Sequence, residues 1–162
     1  MNKFLELRTE RKVIFFIGVA KRCLTLINDS KQARIAADAL ECCWKQLITK
    51  KYDGEILYDY LDNEENGLTV FSEMTDDVKE VFALNCIIDA VAFASKFAFD
   101  SQNAKYYPEP IELVDDELFE HFLKCYNACF SDDNLIDEIL NILTNDKCNN
   151  VPKIKKEIDF LF

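Results

Sequence analysis

Only three glycines and three prolines occur in the 162 residues of this chain, and that shortage constrains its fold more than any other feature. A sandwich or barrel of many strands needs a steady supply of tight turns, which these two residues normally provide. Helices are implied instead. The chain is 49% hydrophobic and holds thirteen Phe, so its heavy charge is not that of a disordered acidic tail. A chain of this length fits one domain, residues 1–162, that buries roughly two-thirds of the surface its unfolded form exposes. A self-sufficient core is expected, with no cofactor needed to hold it.

Apolar spacing predicts an all-α bundle of about six to seven helices. Val13, Phe16, Ile17, Ala20, Cys23, Leu24 and Ile27 recur at three and four residues and place a first helix over about Asn2 to Ile27, with Arg8, Arg11, Lys12 and Lys21 on its opposite face. Asn28, Asp29 and Ser30 supply cap chemistry for a second helix. Its buried stripe is Ile35, Ala36, Ala39, Leu40, Cys43, Leu47 and Ile48, and it ends near Lys50 and Lys51. Asp53 caps a short third helix through Leu61, and Asp62 to Ser72 reads as a loop.

Thr75, Asp76 and Asp77 then open a long helix to about Phe99. This helix, near residues 75–99, is apolar nearly all round and is expected at the centre of the bundle. Tyr106 to Pro110 reads as a stiff, non-helical connection. Asp115 caps a fifth helix to about Phe130, Asp132 or Asp133 caps a sixth, and Pro152 begins a seventh.

The charge is lopsided. All four arginines lie in the first 34 residues; Met1 to Lys51 carries +6, and Tyr52 to Phe162 carries −17. An acidic surface repels nucleic acid and attracts basic proteins, so a protein partner is expected. The early arginines are expected to neutralise acids on adjacent helices. The apolar run Val13 to Ala20 is too short for a bilayer, which needs roughly 20 residues, so no membrane is expected as a partner. Seven Cys in no regular framework, with no segment resembling a signal peptide at the amino terminus, point to a soluble protein of a reducing compartment whose cysteines fill the core.

Few residues offer chemistry. His121 is the only histidine, and a lone histidine without a nucleophile motif is poor material for a catalytic triad. With Cys125 and Cys129 it forms a helical column able in principle to hold a soft metal, but a fourth ligand is missing and no metal is expected. Adjacent Cys42 and Cys43 point about 100° apart, which puts one inside and the other near the surface. Trp44 reads as a core residue. Asn85 and Asp89, one turn apart on the central helix, read as a polar pair inside the bundle whose carboxylate needs a partner such as an early arginine.

The acidic clusters remain. Asp76, Asp77, Asp115, Asp116, Asp132 and Asp133 stand at predicted helix starts, where capping and the helix dipole reward a carboxylate by roughly 0.3–1 kcal/mol. Capping leaves a surplus unexplained: from Asp53 to Glu80 there are ten acids against Lys79 alone. The candidate partner-binding residues are therefore Glu55, Asp59, Asp62, Glu64 and Glu65, extended by Asp115, Asp116, Glu117 and Glu120.

With these residues in view, the chain resembles the all-α immunity proteins of bacterial polymorphic toxin systems, in particular the sixth family of that series. The segments that carry the likeness are Arg11-Lys12-Val13 through Gly18-Val19-Ala20-Lys21-Arg22-Cys23-Leu24, Ala39-Leu40-Glu41-Cys42-Cys43-Trp44-Lys45, Leu57-Tyr58-Asp59-Tyr60-Leu61 and Pro108-Glu109-Pro110. The resemblance implies a cytoplasmic protein, encoded beside a toxin, that neutralises the toxin by tight stoichiometric binding without an enzymatic site. An acidic inhibitor suits a nuclease toxin, whose substrate-binding surface is basic. The competing expectation is a helical adaptor or regulatory subunit that uses an apolar groove.

Overall fold

The computed structural model describes residues 2–145 and 149–162. Among these residues there are ten α-helices and one 3-10 turn, and no strand. In chain order the helices are α1 (Asn2–Leu5), α2 (Thr9–Cys23), α3 (Ser30–Thr49), α4 (Gly54–Asp62), α5 (Leu68–Met74), α6 (Val78–Ser101), α7 (Glu109–Glu112), α8 (Leu118–Cys129), α9 (Leu135–Asn145) and α10 (Val151–Asp159). The 3-10 turn, Leu24–Leu26, follows α2 directly.

Three of these helices divide what the sequence reads as continuous helix or as loop. The first is a break after Leu5. On an unbroken helix Phe4 and Phe15 would stand about 16 Å apart along the axis. Their ring centroids are 5.3 Å apart, because Arg8 is extended (ψ 152°) and the chain doubles back. Burial of the Phe4 ring drives that return: it also stacks on Phe119 at 4.0 Å and meets Phe16 edge-on at 5.5 Å.

The second is α5, which occupies most of the expected loop. Leu68 and Phe71 are buried, and the Thr69 hydroxyl donates to the Leu61 carbonyl at the end of α4, so the segment folds back as a short helix after Gly67. The third is α7. Pro110 lies in its first turn, where a missing backbone N–H costs nothing, so this proline starts a turn of helix in a stretch expected to be non-helical.

Helix α6 is the hub, with α2, α3, α4, α5 and α8 all packed on it. It is long and apolar enough to cross a membrane on length and composition alone, but 67% of its most apolar window is buried inside the protein. Helix α2 is also enclosed, and every residue from Lys12 to Ala20 is buried. Lys12 therefore does not lie on an outer face. Its chain runs inward, with its ammonium 5.4 Å from the Phe4 ring centroid and 2.5 Å from Asp116.

The expected caps hold at Asp29, Asp53 and Asp77, whose carboxylates accept from Gln32, Ile56, and Lys79 with Glu80. Asp133, rather than Asp132, accepts from the Leu135 amide. Asp115 caps the turn before α8 by accepting from the Glu117 amide, and Glu117 itself stands at the N-cap without a capping bond. In α3, Ile48 turns outward, while Trp44 and Gln46 join the buried face.

Of the described cysteines, Cys23, Cys43, Cys86, Cys125 and Cys129 are buried and Cys42 is half-buried, as the angle between Cys42 and Cys43 requires. Cys148 lies outside the described residues. All the described cysteines are unpaired thiols.

Candidate partner-binding surface

Helix α4 carries the first acidic group, and two backbone clamps fix where it starts. The buried Gln46 side chain donates to the Asp53 carbonyl (2.9 Å) and accepts from the Asp53 amide (3.0 Å). One residue on, the Gly54 carbonyl accepts from the Ser95 hydroxyl on α6 at 2.9 Å. A side chain at Gly54 would meet the Phe99 ring at 2.4 Å, so glycine is what lets α4 approach α6 this closely. Leu57 and Leu61 then face the core, which turns Glu55, Asp59 and Asp62 outward.

Glu55, Asp59, Asp62, Glu64 and Glu65 are all exposed, and among the described residues none of them is in an ion pair. Asp62 accepts from the Tyr58 hydroxyl one turn earlier. Half-exposed Ile56 lies within the same group.

The second group, Asp115, Asp116, Glu117 and Glu120, surrounds the start of α8 and is likewise exposed. Two of the four are already employed: Asp115 holds the turn and Asp116 receives Lys12. Glu117 and Glu120 make no ion pair among the described residues.

Sequence reasoning places an arginine beside Asp89; the structure puts His121 there. Asp89 is buried on α6, and its Oδ2 lies 2.7 Å from Nδ1 of the half-exposed His121 on α8. Burial pushes the Asp89 carboxyl up to about 6, and the hydrogen bond and charge of His121 pull against that rise. Asn85 does not pair with Asp89 but accepts from the Ser72 hydroxyl of α5 at 3.3 Å.

His121 Nε2 lies 3.7 Å from Cys125 Sγ, which completes a line of thiol, imidazole and carboxylate. The order resembles a nucleophilic relay, but the environment opposes that chemistry. Cys125 is buried, and desolvation, with Cys86 and Asp89 adding to it, pushes its thiol up to about 12. A neutral, enclosed thiol is a poor nucleophile. Among the described residues no group of three or more His, Cys, Asp and Glu side chains is arranged to hold a metal ion.

The early cations neutralise acids across the bundle, but lysines do more of this work than arginines. Lys12 meets Asp116, Lys21 meets Asp159 at 2.7 Å and Lys50 meets Glu10 at 2.6 Å. Arg22 approaches Asp133 at 3.6 Å, and Arg11 donates to the Leu143 carbonyl. Arg8 and Arg34 are exposed. Lys12, Lys21, Arg22 and Lys50 are thus paired with acids within the bundle, while the carboxylates of Glu55, Asp59, Asp62, Glu64, Glu65, Glu117 and Glu120 face solvent without an ion pair among the described residues.

Fold and surface together define an all-α protein with a closed aromatic core and outward-facing acids on α4 and α8. A family model described as immunity protein Imm6 matches residues 11–129. That span covers most of the chain, and the chain belongs to the Imm6 immunity protein family. No curated protein and no solved structure matches it.

Proposed function

We propose that this immunity protein neutralises one cognate toxin domain, stoichiometrically and by occlusion rather than catalysis, with the exposed acids of α4 and the α8 start as its recognition surface. Membership of the Imm6 family carries this reading, because immunity implies a toxin as partner. The charge makes it specific. Glu55, Asp59, Glu64 and Glu65 take part in no hydrogen bond or ion pair through their side chains among the described residues, and apart from the first-turn position of Glu55 on α4 their carboxylates have no evident role in the fold. An unbalanced anionic field accelerates encounter with a basic surface and discourages wrong partners. Nuclease toxins present such a surface where they hold phosphates, and we assign the toxin to that class. Action in the cytoplasm, where a nuclease would meet its substrate, follows from the same reading.

The test is co-expression of this chain with the toxin domain encoded beside it, followed by isolation of the complex. The expected result is a one-to-one complex in which nuclease activity is suppressed. A toxin domain that stays active in the presence of excess inhibitor contradicts the proposal.

A further inference from the structure

The most specific feature of the acidic surface is a cleft of about 600 Å³ between α1 and the start of α8, lined by Leu5, Asp116, Glu117, Phe119, Glu120 and His121. Its walls are set by the core. The Phe4–Phe119 stack, with planes 7° apart, holds α1 against α8 and leaves the next residue, Leu5, 51% exposed at the rim. Apolar surface and unpaired carboxylates therefore meet in one concavity. A long aliphatic stem ending in a cation is the chemistry that satisfies both at once.

The chain itself shows how such a group binds on this ridge. Lys12 passes beside the Phe4 ring and ends 2.5 Å from Asp116, from the interior side of the same turn. Asp116 is thereby occupied. Glu117 and Glu120 are left, and the Glu117 side chain is not spent on capping α8.

We propose that this cleft receives an arginine or lysine side chain of the toxin domain, its stem against Leu5 and Phe119 and its charge between Glu117 and Glu120. The proposal rests on the toxin-binding reading above and adds to it the place and the chemistry of the central contact. Arginine fits better than lysine, because its planar fork can bind two carboxylates at once.

The cleft can be tested without the toxin, using n-butylguanidinium chloride as the probe and NMR of the full chain as the readout. His121 is the only histidine and lines the cleft, so its ring signals are a unique reporter. Saturable shifts at Leu5, Phe119, Glu120 and His121 are expected, with binding weakened at least about fivefold by Glu117→Gln with Glu120→Gln and also by Leu5→Ala. Glu64→Gln with Glu65→Gln on the α4 side should leave the titration unchanged. Shifts spread evenly over both acidic groups, or unaffected by the α8 substitutions, overturn the proposal.

A second arm uses the isolated toxin complex. A footprint confined to α4, with butylguanidinium still held at α8, removes the toxin side chain from this cleft but leaves toxin neutralisation intact. Failure of any complex to form removes both readings.

Discussion

His121 Nδ1 on α8 lies 2.7 Å from Asp89 Oδ2 on α6, joining the only histidine of the chain to the buried carboxylate of its central helix. The pair ties α8, whose start is surrounded by the second acidic group, to the hub of the core. Cys125 of α8 and Cys86 of α6 lie close enough to Asp89 for its charge to raise their thiols.

That geometry predicts a pH signature. Burial raises the Asp89 carboxyl from 3.8 to about 6, so the folded chain binds this proton more tightly than the unfolded chain does. The resulting stabilisation is complete below about pH 4 and is lost as pH rises through about 6. Asp89→Asn abolishes the titration. The melting temperature of the variant, taken relative to the parent, should therefore rise by a few degrees between about pH 4 and about pH 7. A difference that does not vary with pH contradicts the account.

Gly54→Ala should be costly for so small a change. The new methyl would lie 2.4 Å from a ring carbon of buried Phe99, and overpacking of this kind costs about 1–3 kcal/mol. Chemical denaturation measures the loss directly. A variant as stable as the parent would show that α4 does not need this close approach.

Lys12 and Asp116 should respond unequally. Lys12→Met keeps the length of the stem among apolar neighbours and removes the buried charge, so it should change stability by less than about 1 kcal/mol. Asp116→Ala strands that charge. It should cost about 1–2 kcal/mol, less than a fully buried pair would, because Asp116 is half exposed. Equal effects of the two substitutions would rule out the asymmetry.

The helical class was legible because glycine and proline are scarce, α3, α4 and α6 because capping residues stand immediately before apolar periodicity, and α10 because Pro152 suits a first helical position. Packing at long range was not legible. Nothing local says that Phe4 must reach Phe119, and the apolar spacing that places the first helix begins only at Val13, so it carries no signal of the break after Leu5. The partner of Asp89 was missed for a related reason. The spacing of Asn85 and Asp89 marks one face of one helix, whereas His121 arrives from a helix 32 residues later. The column His121, Cys125, Cys129 did hint that this face of α8 turns toward something polar. The acids of α4 were legible as a surplus because capping chemistry could be subtracted from them. That Asp116 is claimed by Lys12 could not be read, since Lys12 falls on what looked like an outer face of the first helix.

Reversing the charge of the α4 group should separate recognition from folding. Glu55, Asp59, Asp62, Glu64 and Glu65 replaced together by Lys should slow association with the toxin domain at least about tenfold, while unfolding free energy changes by no more than about 1 kcal/mol. Calorimetry beside binding kinetics gives both numbers. Collapse of stability in this variant would mean that these carboxylates serve the fold after all.

The central claim is that outward-facing carboxylates recognise a basic toxin domain, and stopped-flow association with that domain across a range of salt concentrations tests it most directly. Charges that steer an encounter are screened over about 10 Å at 0.1 M salt, so the association rate should fall steeply as ionic strength rises, with the dissociation rate much less affected. An association rate indifferent to salt would contradict the account and point to an apolar groove in place of the acidic surface.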